Sequence, residues 1–320
     1  MTTDKREVLL IGPLKPVVVK GLDAICTVHK VAAAQDPDGF IAAHSKVRAI
    51  ACSDTRESIP GSLMERFPKL EIVASFGVGY DHMDVKWAAA HNVVLTNTPD
   101  VLTECTADHA FMMLLAAARR AYEYDRIMRN GWRFRIGQGD LLGVRVTGKT
   151  LGILGMGRIG RAMAQRARGF DMRVVYHARN RLPLHQEQGA TYFGDFYAML
   201  PECNFLSLHA PATPATDKII DARALALLPR GAVLVNVSRG GLVDEDALLD
   251  ALASGQLFGA GLDVFRTEPH YDLRFAKLDN VILSPHVGSA SVETRNAMGY
   301  RALDNIAAVL AGRGPIDPLW

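Results

Sequence analysis

Residues 150–160 read Thr150-Leu151-Gly152-Ile153-Leu154-Gly155-Met156-Gly157-Arg158-Ile159-Gly160, a short apolar run that turns on glycine and passes into Arg158 to Arg168 with helical apolar spacing. This fits the GxGxxG pattern in a strand, turn and helix setting. Gly155 permits the tight turn, Gly157 lets backbone approach a pyrophosphate, and Gly160 lets the helix pack on the strand. The helix then offers unpaired N–H groups and a positive dipole end to that anion, with Arg158 and Ile159 in its first turn. The next strand ends at Tyr176 and is followed by His177-Ala178-Arg179-Asn180-Arg181. A dinucleotide site selecting NAD carries an acid at this point to bind the ribose hydroxyls. None is present, whereas a guanidinium pairs well with a 2′-phosphate. Arg179, Asn180 and Arg181 therefore point to NADP, with NADPH preferred over NADH.

The same alternation extends outward in both directions. Glu7 to Ile11, Ala49 to Cys52, Ile72 to Ala74 and Val93 to Thr96 read as strands before the motif. Met172 to Tyr176, Asn204 to Leu208, Ala232 to Val237, Gly259 to Val264 and Val281 to Leu283 read as strands after it. Amphipathic stretches separate them, the rhythm of open parallel sheets. Thr103 to Asn130 reads as one long helix, opened by a Thr cap and closed by Gly131. Arg129 to Lys149 has five glycines and no period, the pattern of a functional loop or an interface arm. The last long helical pattern is Val292 to Leu310.

At 320 residues and 49% apolar composition the chain is long enough for about two domains with their own cores. Its 36 basic and 34 acidic residues give a net charge of +2, with no run of like charges to mark a nucleic-acid groove or a membrane anchor. The longest apolar run, Ala110 to Ala118, is far short of the roughly 20 residues that span a bilayer. The N-terminal stretch lacks a signal-peptide core. Cys26, Cys52, Cys105 and Cys203 lie far apart, which argues against a disulfide framework or a thiolate metal site and fits a reducing cytoplasm. The expected partner is a small molecule, with no metal.

Three polar residues follow apolar strands in the second half. Arg239 comes after Val233 to Ser238, Glu268 after Gly261 to Phe265, and His286 after Val281 to Pro285. Ligands of open α/β sheets bind outside the carboxyl ends of strands, so all three could face one crevice. Such a set can act on a small anion: a fixed cation to grip it, a proton donor near neutral pH, and a group that holds that donor in its acid form. Arg239, His286 and Glu268 suit those roles in that order. His82, His91, His109, His177 and His209 have no metal-ligand spacing and read as structural or solvent-facing, His209 being singled out by its place at a strand end.

The stretches LVNVSRGGLVDEDAL, GAGLDVFRTEP and LSPHVGSAS, preceded by LLGVRVTGKTLGILGMGRIG, resemble the signatures of the D-isomer-specific 2-hydroxyacid dehydrogenase family from about Ser75 to Leu310. The resemblance implies that Arg239, Glu268 and His286 form the catalytic set. It adds His209, Pro211, Thr216, Val237, Ser238, Asp263 and Thr103 to the cofactor residues, Asp263 facing the nicotinamide carboxamide. Arg239 and His286 also belong to the cofactor and substrate sets. SFGVGYDHMD resembles the family's substrate loop, with backbone around Val78 and Gly79 holding a carboxylate and with Phe76, Ser289 and Trp132 closing the pocket.

The implied architecture is two doubly wound parallel-sheet domains. A Rossmann NAD(P) domain, 101–289, is inserted into a flavodoxin-like substrate domain built from 1–100 and 290–320. The implied activity is reduction of small 2-keto acids, glyoxylate to glycolate and hydroxypyruvate to D-glycerate, by a homodimer. A reductase of broader specificity for bulkier keto acids is the alternative, and a dinucleotide-gated binding protein on the same fold is the alternative from another class.

Overall fold

The computed structural model describes residues 6–31, 37–53 and 58–320. The chain divides into two compact units, Met1–Leu102 with Ala290–Trp320, and Thr103–Ser289. The first unit begins with β1 (Glu7–Ile11), α1 (Pro16–Ile25), β2 (Thr27–Lys30), α2 (Pro37–Ala43) and β3 (Ala49–Ser53). It continues with α3 (Gly61–Met64), β4 (Ile72–Phe76), α4 (Val85–Ala90) and β5 (Val94–Thr96). Its sheet has the order β2-β1-β3-β4-β5 with every pair parallel, a flavodoxin-like order. β3 and β4 are buried along their whole length, as strands covered on both faces must be.

The second unit runs α5 (Thr103–Ala118), α6 (Ala121–Arg129), β6 (Thr150–Leu154), α7 (Arg158–Arg168), β7 (Arg173–His177), α8 (Leu184–Glu187), β8 (Thr191–Tyr192) and α9 (Phe196–Met199). There follow β9 (Phe205–Leu208), α10 (Ala222–Leu227), β10 (Ala232–Asn236), α11 (Glu245–Ala253), β11 (Leu257–Leu262) and β12 (Val281–Leu283). Seven parallel strands line up as β12-β11-β10-β9-β6-β7-β8. The order reverses between β6 and β9, the Rossmann switch point at which a doubly wound sheet opens a crevice. The last helix, α12 (Val292–Leu310), belongs to the first unit, where it packs on β4, β3 and α1.

The helix expected from Thr103 to Asn130 is two helices. Thr103 is the first helical residue of α5 rather than a cap before it, and Arg120 breaks the run with φ +55. The cause is tertiary. Val144, returning from the glycine-rich segment, donates its N–H to the Ala118 carbonyl at 2.8 Å, where helical continuation would place an i+4 amide. The Arg120 guanidinium bonds the buried carboxylate of Glu123 at 2.8 Å and fixes the corner. α5 itself buries Phe111, Met113 and Leu114 against β10, β11 and α7, each burial contributing roughly 1.5–3 kcal/mol.

No helix among the described residues is long and apolar enough to cross a membrane. Among the same residues no group of three or more His, Cys, Asp or Glu is placed to hold a metal ion.

Candidate active site

The glycine turn stands at the carboxyl end of β6. Gly155 has φ +94, and a Cβ there would lie 2.6 Å from the Ala210 nitrogen and 2.7 Å from the His209 carbonyl carbon. A Cβ on Gly160 would lie 2.2 Å from the Gly155 oxygen, so α7 can seat only without one. At Gly157 a Cβ would meet nothing within 4 Å. Two glycines are thus demanded by the protein's own packing, whereas the third borders open space at the start of α7. The residue before α7 supplies no side-chain cap, leaving the first N–H groups of an eleven-residue helix facing that space. This arrangement fits a dinucleotide pyrophosphate.

Around the turn, the other expected cofactor residues sit at strand ends. His209 follows β9, donates its N–H to the Leu154 carbonyl at 2.8 Å and contacts Ser207 Oγ through Nε2 at 2.8 Å. Burial pushes its pKa down to about 4, so the ring is neutral. Pro211 and Thr216 close a turn in which Thr216 Oγ1 donates to the Pro211 carbonyl at 2.7 Å. After β10, Val237 is buried and the Ser238 hydroxyl donates to the Ala210 carbonyl.

Beyond β7, Arg179 and Asn180 are exposed, but Arg181 is committed elsewhere. Its Nε and Nη2 donate to the two oxygens of Glu187 at 2.8 and 3.1 Å, and its guanidinium carbon lies 6.0 Å from the centre of the Tyr192 ring. The Tyr176 hydroxyl donates to the same carboxylate at 2.8 Å. The Arg181 hydrogen bonds, followed by that of Tyr176, hold Glu187 below the usual carboxylate range. Arg181 is thus paired with an internal anion, while its side chain stays 56% exposed.

The expected catalytic residues meet in the second unit. Glu268 Oε2 lies 2.7 Å from His286 Nδ1, and Glu268 Oε1 accepts the Phe265 N–H at 2.9 Å. Burial tends to raise the Glu268 pKa, yet the His286 bond and charge, the Phe265 amide and the charge of Arg239 together hold it below the usual range. Arg239 is oriented by its surroundings: Asn236 Nδ2 donates to the Arg239 carbonyl at 2.9 Å, and Arg239 Nη1 donates to the Ser238 carbonyl at 2.9 Å. The set comprises an ionised carboxylate fixing one imidazole nitrogen and a guanidinium close enough to act on that carboxylate electrostatically.

His286 has φ +55, a conformation that costs an L residue on the order of 1–3 kcal/mol and persists only where its surroundings over-determine it. Asp263, 1% exposed, supplies the restraint. Its carbonyl accepts the His286 N–H at 2.8 Å, while Oδ1 accepts from Val287 and Oδ2 from Gly288, each at 2.9 Å. Both carboxylate oxygens are thus turned onto the segment that carries His286. Sequence reasoning missed the neighbour that joins it, His109 of α5, whose Nε2 lies 3.3 Å from Asp263 Oδ1. A polar residue three positions after buried Thr106 and four before buried Met113 was the available signal.

Ser289 follows this segment and is half-buried, while Trp132 is 58% exposed. In the first unit, Phe76 ends β4 and is buried, and Val78 and Gly79 lie in the loop after it. Asn97 Nδ2 donates to the Val78 carbonyl at 2.9 Å and the Thr98 N–H to the Gly77 carbonyl at 2.8 Å, so that loop is tied at two points.

Comparison with known proteins places the chain in a family. Residues 111–288 match the family model for the NAD binding domain of D-isomer specific 2-hydroxyacid dehydrogenases. A glyoxylate reductase of Thermococcus litoralis is 44% identical over 263 residues, covering 81% of this chain and 80% of its own length. One from Korarchaeum cryptofilum is 47% identical over 262 residues, covering 81% and 79%. Among solved structures, an NADPH-dependent glyoxylate/hydroxypyruvate reductase of Sinorhizobium meliloti, in complex with NADP and malonate, superposes with a TM-score of 0.89. It is 38% identical and covers 98% of this chain and 97% of that one. The chain belongs to the D-isomer specific 2-hydroxyacid dehydrogenase family. It is an oxidoreductase of that family, with an NAD-binding domain of Rossmann type.

Proposed function

We propose that this enzyme reduces small 2-keto acids, glyoxylate to glycolate and hydroxypyruvate to D-glycerate, with NADPH as donor and His286 as the proton source. The observation that carries the reading is the 2.7 Å contact between Glu268 and His286, formed at strand ends of the dinucleotide-binding unit with Arg239 close by in charge. The names of the relatives support the substrate class, and the Sinorhizobium neighbour supports NADPH.

Gly155, Gly157, Gly160 and the first turn of α7 would hold the pyrophosphate, with His209, Pro211, Thr216, Val237 and Ser238 lining the dinucleotide. When bound, the nicotinamide would supply a hydride equivalent to the carbonyl carbon. Arg239 grips the carboxylate and carbonyl oxygens of the keto acid, orients its trigonal carbon and draws charge toward the oxygen. His286 gives its proton to that oxygen, and Glu268, ionised at the other ring nitrogen, fixes the tautomer and favours imidazolium. Selection of the 2′-phosphate rests on Arg179 and Asn180 and on the lack of an acid at the end of β7, since Arg181 is held by Glu187.

The enzyme works in the cytoplasm as a homodimer, an assembly supported by the exposed Trp132, Phe134, Ile136 and Leu142 of the glycine-rich arm. A monomer by light scattering at micromolar concentration would count against the dimer.

One panel tests the activity: initial rates with NADPH and NADH on glyoxylate, hydroxypyruvate, pyruvate and phenylpyruvate. The reading requires the highest kcat/KM with NADPH and either glyoxylate or hydroxypyruvate. Preference for phenylpyruvate would favour the broader reductase, and absence of turnover a binding protein.

A further inference from the structure

The carboxylate of Asp263 is buried, and its backbone partners all belong to the segment that carries His286. A buried anion served only by amides gains from a side-chain donor able to bear positive charge. α5 supplies that donor. His109 Nε2 lies 3.3 Å from Asp263 Oδ1 and 3.2 Å from Ser284 Oγ, and its side chain is 15% exposed. Burial acts to raise the Asp263 pKa, but the His109 bond, the Val287 amide and Ser284 hold it below the usual carboxylate range.

The clamp is tight on its far side too. A Cβ on Gly288 would lie 3.1 Å from Asp263 Oδ2, 3.4 Å from Thr106 Cγ2 and 3.9 Å from His109 Cδ2, so the segment is pressed directly onto this face of α5. His286, Val287 and Gly288 are thus held by one residue, which is itself held by His109. Since the His286 backbone is in the left-handed region, the direction of its imidazole depends on that hold.

We infer that His109 is a positioning residue for the reaction: by fixing Asp263 it fixes the backbone on which His286 is carried, and through it the placement of the proton donor. This rests on the proposed role of His286. A residue that merely filled the space between α5 and β11 would be replaceable by any ring of similar size.

The test compares His109→Phe, which keeps bulk but removes the donor, with His109→Gln, whose amide nitrogen reaches the position of Nε2. Steady-state kcat and KM for glyoxylate, the Kd of NADPH by fluorescence titration, and Tm are measured on the full chain. H109F is expected to lower kcat at least tenfold with KM and Kd within about twofold, and H109Q to recover most of the loss. A kcat in H109F within twofold of the parent, or equal losses in both variants, overturns the inference.

If H109F does not fold, Gly288→Ala presses on the same clamp from the other side and must show the same loss confined to kcat. His286→Ala in parallel separates the two readings. Full activity of H286A overturns the proton-donor role, whereas an inert H286A beside a fully active H109F overturns the positioning role.

Discussion

Glu268 meets His286 through Nδ1, at 2.7 Å, so in the proposed reaction the proton passes through Nε2. Two residues 18 apart in sequence are brought together because each follows a neighbouring strand, β11 and β12. His286→Ala is expected to lower kcat by about 10²–10⁴, the usual range for a general acid. NADPH affinity should change little, because the pyrophosphate cradle lies at β6. Normal turnover with weakened NADPH binding would reverse the assignment.

Glu268→Gln keeps an acceptor at the ring but removes the charge that favours imidazolium. Reduction needs the protonated ring, so activity fades as pH rises. The variant should lose activity about one unit or more lower on the pH scale than the parent. At the acid end the sign is opposite: the Glu268 pKa is depressed, so in the parent the pair survives down through the usual carboxylate range and is lost only as pH falls below it. A pH profile of kcat/KM whose basic limb does not move in the variant would show that this charge does not tune the donor.

The three motif glycines should separate under substitution. Gly157→Ala meets no protein atom within 4 Å, so its Tm should match the parent while NADPH binding weakens at least tenfold, because the new methyl occupies the cradle. Gly160→Ala places a carbon 2.2 Å from the Gly155 oxygen and should lower stability and binding together. Thermal melts and fluorescence titrations distinguish the two. Intact NADPH binding by G157A would move the pyrophosphate away from this turn.

Arg179 and Arg181 should likewise part company. Arg179→Ala is expected to weaken NADPH at least tenfold and leave NADH nearly unchanged. Arg181→Ala removes the charged partner of buried Glu187 and leaves only Tyr176, so it should lower Tm while the ratio of NADPH to NADH affinity stays within about twofold. Direct Kd measurements for both dinucleotides decide between them.

The glycine turn and the three polar residues were legible because the chemistry is written locally: each follows an apolar strand, and in a doubly wound sheet strand ends converge. Features fixed by distant partners were not. The corner at Arg120 has no glycine or proline, and α5 stops because Val144 captures the Ala118 carbonyl. The pairing of Arg181 with Glu187, on the short helix α8, has no local signal either. Nor does anything near Asp263 in sequence show that its carboxylate meets Val287, Gly288 and a histidine 154 positions earlier in the chain. β2 and β8 escaped notice as edge strands of four and two residues with exposed polar positions.

His209 gives the fold a pH dependence that is separable from catalysis. Burial lowers its pKa from 6.5 to about 4, and Nδ1 has no partner among the described residues. Between those two pH values the unfolded chain binds a proton that the folded chain refuses, so acidification through this window costs stability. Above it both states are neutral and below it both are protonated, so the dependence vanishes at either end. The full excursion is on the order of 3 kcal/mol. His209→Asn cannot take up the proton, and its Tm should fall less steeply than the parent's from pH 6.5 to 4. His29, whose pKa is also lowered by burial, is common to both proteins and cancels in the comparison. Parallel Tm curves across that window would mean that the ring is not held neutral in the fold.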